Sequence, residues 1–439
     1  MKKKAVLLID FIGCPRNMLL KLRFEDYLKA NGWDIGSSEE VASADLVAHL
    51  GCGLMNKNRR ETLRIIKAVN KQLAPRKDDP VFVVTGCIPS QYRADIEAIH
   101  SGPAFGPREI EKFDEVINAT TSILDIPVRT RVRTRERVMS VVRDKKSVDI
   151  VRVASIVRKV IHWSISAYYG TINGTLFTDV NRGVYPFDYY QMGDDTWCII
   201  TSEGCLGNCS YCVGRIAKGR LRSKPLEEII ESARQGVKQG YKWISLIAED
   251  NGVYGRDIEL DFGTLLREII SIEGDFGLLI DSMNPKDMIV LCDEYPDVFS
   301  TGKVRRLCLA VQHVSPRIVK SMNRGYDLDR LKRCLEAITA ASPSFYMDVH
   351  FIIGYPGETR EEFNQLKKFA EWLLELNPLH SFKPFAFSAS KGTKAAQLPD
   401  QVPTAVTLGR ILEMDVICLK HRYRKDQRRR QMDLGEITT

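Results

Sequence analysis

Gly204-Cys205-Leu206-Gly207-Asn208-Cys209-Ser210-Tyr211-Cys212 is the stretch whose reading decides the fold. It sets three cysteines on one short loop, spaced C-x3-C-x2-C, just past an apolar run at 197–201 that reads as a buried strand. Such a loop can hold three irons of a 4Fe-4S cluster and leave the fourth without a protein ligand. A structural zinc site needs a fourth Cys or His nearby, and none is close in sequence. The plain alternative is three unrelated buried cysteines.

Downstream, strand and helix patterns alternate. Candidate strands are 197–201, 243–247, 278–281, 307–311, 346–352 and 382–387. Helical patterns follow each of the first five, as at 226–239, 316–323 and 360–375. Six βα units in series predict a partial TIM barrel over 193–400, with ligands at the C-terminal ends of its strands. Upstream, residues 1–127 alternate apolar runs at 5–9, 46–50 and 81–84 with helical segments near 17–31 and 58–73. That order predicts a Rossmann-like parallel sheet domain, so the whole chain is α/β. Residues 128–192 break the pattern. Arg129, Arg131, Arg133, Arg135 and Arg137 fall at every second position, a helical pattern spans 148–169, and a turn-rich aromatic piece spans 184–190. The segment reads as an insertion or linker. Residues 401–439 read as a helix with a basic end, through Lys420, Arg422, Arg424, Lys425 and Arg428 to Arg430.

A second set of cysteines lies in the N-terminal part. Cys14, Cys52 and Cys87 each follow one of its predicted strands, and each is preceded by glycine. Their separations of 38 and 35 residues match one βα repeat each. Equivalent loops of a parallel sheet converge on one edge. Glycine would let the backbone approach an inorganic core closely. Three convergent thiolates therefore suggest a second cluster with one open iron; three free thiols are the alternative.

Composition sets the frame. The chain has 439 residues, 44% of them apolar, which is enough for two or three domains and too many for a disordered protein. No run approaches the length of a transmembrane helix, and the apolar run after Lys4 is too short for a signal peptide. A cytoplasmic location is expected. There the eleven cysteines would be ligands, catalytic groups or core filler rather than disulfides. Cys198, Cys292, Cys308, Cys334 and Cys418 sit in apolar patterns and read as core residues. Net charge of +8 is compatible with an anionic partner and does not require one.

The barrel loop resembles the radical S-adenosylmethionine superfamily, and both cysteine sets together resemble its methylthiotransferases. The match runs through Gly13-Cys14-Pro15-Arg16-Asn17, Gly51-Cys52 and Val84-Thr85-Gly86-Cys87. It continues through Gly219-Arg220-Leu221-Arg222-Ser223-Lys224-Pro225, Ala248 to Asp257, Val311 to Ser315, Met322 to Tyr326, Ile353 to Thr359 and Gly392-Thr393-Lys394-Ala395-Ala396. The resemblance implies two 4Fe-4S clusters, one on Cys205, Cys209 and Cys212 and an auxiliary one on Cys14, Cys52 and Cys87. It implies sulfur insertion at an unactivated carbon–hydrogen bond. S-adenosyl-L-methionine would serve as methyl donor and as source of a 5′-deoxyadenosyl radical. Tyr211, Glu249, Asp250, Gln312, Asp348 and Gly354 are the cofactor-binding candidates. Arg220, Arg222 and His313 are candidates for substrate.

The chain departs from the family pattern in two places. The small β-barrel called TRAM, usual after the last helix, is not seen, and 128–192 replaces a short linker. Residues 248–257 and Ser282-Met283-Asn284-Pro285 look like enzymes acting on threonylcarbamoyladenosine in tRNA. Gln312-His313-Val314-Ser315-Pro316-Arg317 looks like those acting on a ribosomal-protein aspartate. The default expectation is a tRNA nucleoside, with a peptide or small molecule as competitor. A reductant such as flavodoxin or ferredoxin is the implied partner. Two alternatives stay open: an auxiliary cluster used only for electron transfer, and an RNA-binding protein on a decayed barrel.

Overall fold

The computed structural model describes residues 3–9, 14–54, 56–130 and 195–433. The arginine-alternating run from Arg131 onward, the helix expected at 148–169 and the aromatic piece at 184–190 lie outside the described residues, as do the basic side chains expected at 422–430. The chain packs as two compact units. Of the described residues, the first comprises those up to 130, 195–281 and Ser388–Gln397; the second comprises Ser282–Phe387 and 398–433.

In the first unit, strands β1 (Lys4–Ile9), β2 (Asp34–Gly36), β3 (Leu46–Gly51) and β4 (Val81–Gly86) form a four-stranded sheet in the order β2-β1-β3-β4. All its pairs are parallel, and the register sets Ile9 against Leu50 and Gly51 against Gly86. Strand residues are apolar on both faces because helices cover both. On one face Val6, Leu8, Val47 and Val84 pack with Ile65, Ile66 and Val69 of the helix Asn56–Leu73. On the other, Ala5, Leu7, Leu46, Ala48 and Leu50 pack with Phe24, Tyr27 and Leu28 of the helix Pro15–Ala30. Each fully buried aliphatic chain here contributes roughly 1.5–3 kcal/mol. β2 escaped the sequence reading because its three residues carry one apolar side chain, too short a run to alternate.

The same unit holds β5 (Thr196–Ile200), β8 (Trp243–Ile247) and the start of β9 (Gly277–Met283), paired in parallel. Between β5 and β8, two short strands, β6 (Ser202–Glu203) and β7 (Arg222–Ser223), form an antiparallel ribbon. The ribbon closes the base of the loop that carries Cys205, Cys209 and Cys212. In the second unit, β10 (Val304–Gln312), β11 (Tyr346–Ile353) and β12 (Ser381–Ala386) pair in parallel. Within each unit these strands lie in chain order, β5-β8-β9 in the first and β10-β11-β12 in the second. Helices follow the strands as expected, including Leu226–Lys238, Phe262–Ile270, Pro285–Glu294 and Arg360–Leu376. Their starts are written locally: Asp261 and Asn284 cap by side chain, and Thr359 with Glu362 makes a capping box. The last helix, Thr404–Asp433, matches the expected terminal helix.

Candidate functional site

The barrel loop is held by its own backbone. Gly204 takes φ +77 and packs against the Arg220 carbonyl, a turn that a side chain would block. Its N–H donates to Glu249 Oε2 at 2.8 Å. The Gly207 N–H donates to Cys205 Sγ at 3.1 Å, and the Gly214 N–H donates to Cys212 Sγ at 3.2 Å. A Cβ on Gly207 would stand 3.1 Å from Cys205 Sγ and 3.9 Å from Cys209 Sγ, so the loop folds closely around its sulfurs. Burial, then the Asp250 carboxylate, push the Cys205 thiol up to about 12; the neighbouring Cys212 and Cys209 thiols add to this and the Gly207 N–H opposes it. Three thiols near enough to repel one another, with N–H donors aimed at two sulfurs, suit a cationic iron cluster that takes them as thiolates.

The N-terminal cysteines reach one edge by a different route. Cys14 and Cys87 are the residues before the helices Pro15–Ala30 and Ile88–Glu97, each with proline in its first turn. Cys52 follows β3 directly. Since β1, β3 and β4 are neighbours about 4.8 Å apart, the three loops start within ~10 Å of one another. The Cys87 N–H donates to the Gly51 carbonyl at 3.0 Å. Cys52 is buried, and its Sγ accepts from Asn58 Nδ2 at 3.2 Å. Burial, then Cys87, push the Cys14 thiol up to about 11, against Lys218, the Asn17 N–H and Arg16. This donor set also fits a cluster. Among the described residues no three Cys, His, Asp or Glu side chains are placed to share one metal ion.

The glycines before these cysteines have another purpose than the one expected. A Cβ on Gly51 would meet Thr62 Cγ2 at 2.6 Å and Ile88 Cγ2 at 2.7 Å. On Gly86, at φ +89, it would meet the Gly51 carbonyl at 2.6 Å. They allow strand ends and helices to crowd together, and only indirectly gather the thiols. Gly13 lies outside the described residues.

Two cations join the sets, and sequence reading gave them no role. Arg16, two residues after Cys14, lies 3.1 Å from Glu249 Oε1 through Nε, donates through Nη2 to the Ser202 carbonyl and sits 3.7 Å from Glu203. It is 8% exposed. Lys218 ends the helix Gly214–Lys218 that follows Cys212. Although burial opposes its charge, Cys87, Glu249 and Cys14 outweigh that and raise its pKa. The signal available in sequence was a basic residue at a short offset from a cysteine in each set.

Other candidates fall in several environments. Tyr211 is half-buried beside Cys212. Asp250 is buried and caps the turn Asn251–Val253 by accepting from the Gly252 N–H at 3.2 Å. Arg220 and Arg222 are exposed, and the Arg220 carbonyl accepts from Arg108. In the second unit, Gln312 ends β10 at φ +68, beside a register shift in its pairing. A non-glycine residue there stores strain. His313 is fully enclosed: Nδ1 accepts from the Ser315 N–H at 3.0 Å, Nε2 lies 3.8 Å from Glu358, and burial lowers its pKa to about 4. Gly354 takes φ +79 against Thr407 and donates to Glu358 at 2.8 Å. Asp348 stands near the N-terminal end of β11, away from the carboxyl end. Lys383 at 3.1 Å and Arg306 at 3.4 Å approach its carboxylate, and Ser381 donates to it at 3.3 Å. Burial opposes its charge, yet His350, Lys383 and Arg306 hold its carboxyl well below the usual range.

The remaining cysteines divide. Cys198, Cys308 and Cys418 are buried, as expected of core residues. Cys292 and Cys334 are instead joined in a disulfide between the helices Pro285–Glu294 and Leu328–Ala341, with Cα atoms 6.0 Å apart. Sequence could not pair them, since 42 residues separate them and only helix packing brings them together.

Comparison with known proteins adds the family. The Radical SAM superfamily pattern matches residues 199–370, and that of Uncharacterized protein family UPF0004 matches residues 6–104. A probable threonylcarbamoyladenosine tRNA methylthiotransferase of Archaeoglobus fulgidus is 29% identical over 335 residues, 72% of this chain and 77% of that protein. The ribosomal protein uS12 methylthiotransferase RimO of Geobacter sulfurreducens is 27% identical over 410 residues, 90% of this chain and 77% of that one. Together these matches support the radical S-adenosylmethionine methylthiotransferase family for this chain. A second probable threonylcarbamoyladenosine tRNA methylthiotransferase, from Methanocaldococcus jannaschii, is 34% identical over 232 residues, 52% of this chain and 52% of that protein. Among solved structures, the radical S-adenosylmethionine methyltransferase TsrM of Kitasatospora setae shares the fold, with TM-score 0.53 at 14% identity, covering 88% of this chain and 75% of that one. The radical SAM match and the methylthiotransferase relatives imply S-adenosylmethionine and 4Fe-4S clusters as cofactors.

Proposed function

We propose that this chain is a methylthiotransferase that installs sulfur, as a methylthio group, on an unactivated carbon of a tRNA nucleoside. S-adenosylmethionine would be both methyl donor and source of the 5′-deoxyadenosyl radical. The observation that carries this reading is the presence in one unit of two three-thiol sets, with Arg16, two residues past Cys14, paired to the Glu249 that holds the start of the barrel loop. When bound, the clusters supply the electron that cleaves S-adenosylmethionine and an open iron for the sulfur. The protein's part is positional. The Gly207 and Gly214 N–H groups offset charge on Cys205 and Cys212. Glu249 spans Gly204 and Arg16, tying the start of the barrel loop to the residue two beyond Cys14.

The nucleoside substrate rests on two relatives named as tRNA threonylcarbamoyladenosine methylthiotransferases. A one-electron donor of the flavodoxin or ferredoxin kind and a sulfur donor complete the reaction in the cytoplasm. No helix among the described residues is long and apolar enough to cross a membrane.

The test is anaerobic reconstitution of the full chain. It should take up about eight irons, and a Cys14→Ala/Cys52→Ala/Cys87→Ala variant about four. The parent should release both 5′-deoxyadenosine and S-adenosylhomocysteine, the variant only the former. Absence of S-adenosylhomocysteine from the parent would instead support an electron-transfer auxiliary cluster. Mass spectrometry of tRNA nucleosides from cells with and without the protein should show a mass gain of one methylthio group.

A further inference from the structure

Gly392-Thr393-Lys394-Ala395-Ala396 lies just past the last strand and outside both thiol sets. It lies in Ser388–Gln397, which packs with the first unit. One end of this segment meets the N-terminal thiol set. The Asn56 N–H, four residues past Cys52, donates to Ser388 Oγ at 3.0 Å, and Asn56 Nδ2 donates to the Ala389 carbonyl at 3.1 Å. Gln91, four residues past Cys87, donates to the Lys391 carbonyl at 3.3 Å, and Tyr92 hydrogen-bonds Ser390. The other end meets the barrel loop. The Ala395 N–H donates to the carbonyl of Ser210, between Cys209 and Cys212, at 2.8 Å. Between the two ends the segment is tightly turned. Thr393 donates through Oγ1 to the Ser390 carbonyl at 2.7 Å, the Ser390 N–H donates to the Ser388 carbonyl at 2.8 Å, and Ser390, Thr393 and Ala395 are all buried.

We infer that Ser388–Gln397 is a strap that sets the spacing of the two thiol sets, so that Asn56, Gln91 and Ser388 are positioning residues for the reaction. The inference rests on the two-cluster reading above. Helix ends and strand ends already fix each set internally; the strap is a short, internally bonded piece that touches the helices following Cys52 and Cys87 and the barrel loop itself. A group passed from one cluster to a carbon near the other needs such a fixed spacing, because misplacement by about 1 Å costs on the order of a hundredfold in rate. The Lys391–Asp95 pair, 3.9 Å apart with Lys391 69% exposed, contributes little to this hold.

The test uses the full chain, reconstituted anaerobically, with an Asn56→Ala/Gln91→Ala variant. Expected are unchanged iron content and unchanged cleavage of S-adenosylmethionine, with weaker mutual broadening of the two reduced clusters' EPR signals. Amide exchange in peptides covering 205–212 and 388–397 should speed by about fivefold for each net hydrogen bond lost, two in this variant. Uncoupled 5′-deoxyadenosine should rise against methylthiolated product. A fold defect alone would lose iron or cleavage, not spin coupling by itself. If the double variant does lose iron, Ser388→Ala, which removes one hydroxyl, must show the same weaker broadening with iron intact. About eight irons with unchanged broadening in both variants overturns the strap. A parent holding only about four irons overturns the two-cluster reading instead, a separate failure.

Discussion

The two cysteine sets each gather three thiols, by opposite architectures. Cys205, Cys209 and Cys212 share one loop, closed by the β6–β7 ribbon and shaped by backbone donors within it. Cys14, Cys52 and Cys87 come from three loops that only the strand order β1-β3-β4 brings together. The first set is local and should tolerate distant change. The second is distributed and depends on every contact that keeps three strand ends level. The largest effect tests whether the sets are separable. A Cys205→Ala/Cys209→Ala/Cys212→Ala variant should lose all cleavage of S-adenosylmethionine yet keep about four irons on the other set. Loss of all iron would show that the N-terminal set cannot load alone, and the comparison would break.

A smaller effect separates local from distributed by glycine. Gly86→Ala places a Cβ 2.6 Å from the Gly51 carbonyl at φ +89, so the strand ends must part. The expected cost is about 3 kcal/mol, measured by denaturant unfolding of the apo chain, and the iron lost should be that of the N-terminal set. Gly207→Ala meets Cys205 Sγ at 3.1 Å and Cys209 Sγ at an ordinary 3.9 Å, and keeps its own N–H donor. It should cost about 1 kcal/mol or less and disturb only the barrel cluster's EPR signal. Equal damage by the two substitutions would deny the distinction.

The same contrast explains what the sequence disclosed. The barrel loop was legible because its spacing lies within nine consecutive residues. The N-terminal set was legible only through the repeat, each cysteine standing where a strand ends. Buried strands such as Val81–Gly86 and Tyr346–Ile353 stood out as apolar runs bounded by helical patterns. Contacts between distant residues left no such trace. Arg16 finds Glu249 across 233 residues, and Asn56 finds Ser388 across 332. Asp348 is a cofactor candidate by its strand alone; its place along the strand, near the start and among cations that satisfy it, shows only in the fold.

The smallest effect concerns pH, and it asks whether the thiol-bearing unit is indifferent to an ion pair elsewhere. In the second unit Glu362 accepts from Ser315 Oγ at 2.7 Å and from Arg317 Nε at 2.9 Å. Burial works against its charge, but Arg317, the Thr359 N–H and Ser315 outweigh this and hold its pKa down to about 2. A carboxyl depressed on folding adds stability above its unfolded pKa and loses it as pH falls toward the folded value. The loss should therefore run from about pH 5 down to about pH 2. Arg317 is 58% exposed, so water screens it, and the full shift is discounted to roughly 1 kcal/mol for its share. His313 acts higher: its folded pKa of about 4 means stability falls as pH drops from about 6.5 toward 4. Peptide-level amide exchange on the apo chain, corrected for intrinsic rates, should show residues 313–318 and 357–365 loosening between pH 5 and pH 3. Arg317→Ala should start roughly 1 kcal/mol weaker at pH 6 and lose less across that window, because the carboxyl it held is no longer depressed as far. Peptides 205–212 should be the same in both chains at each pH. If Arg317→Ala moved them as well, the barrel loop would not be the self-contained piece that its spacing and its own N–H donors describe.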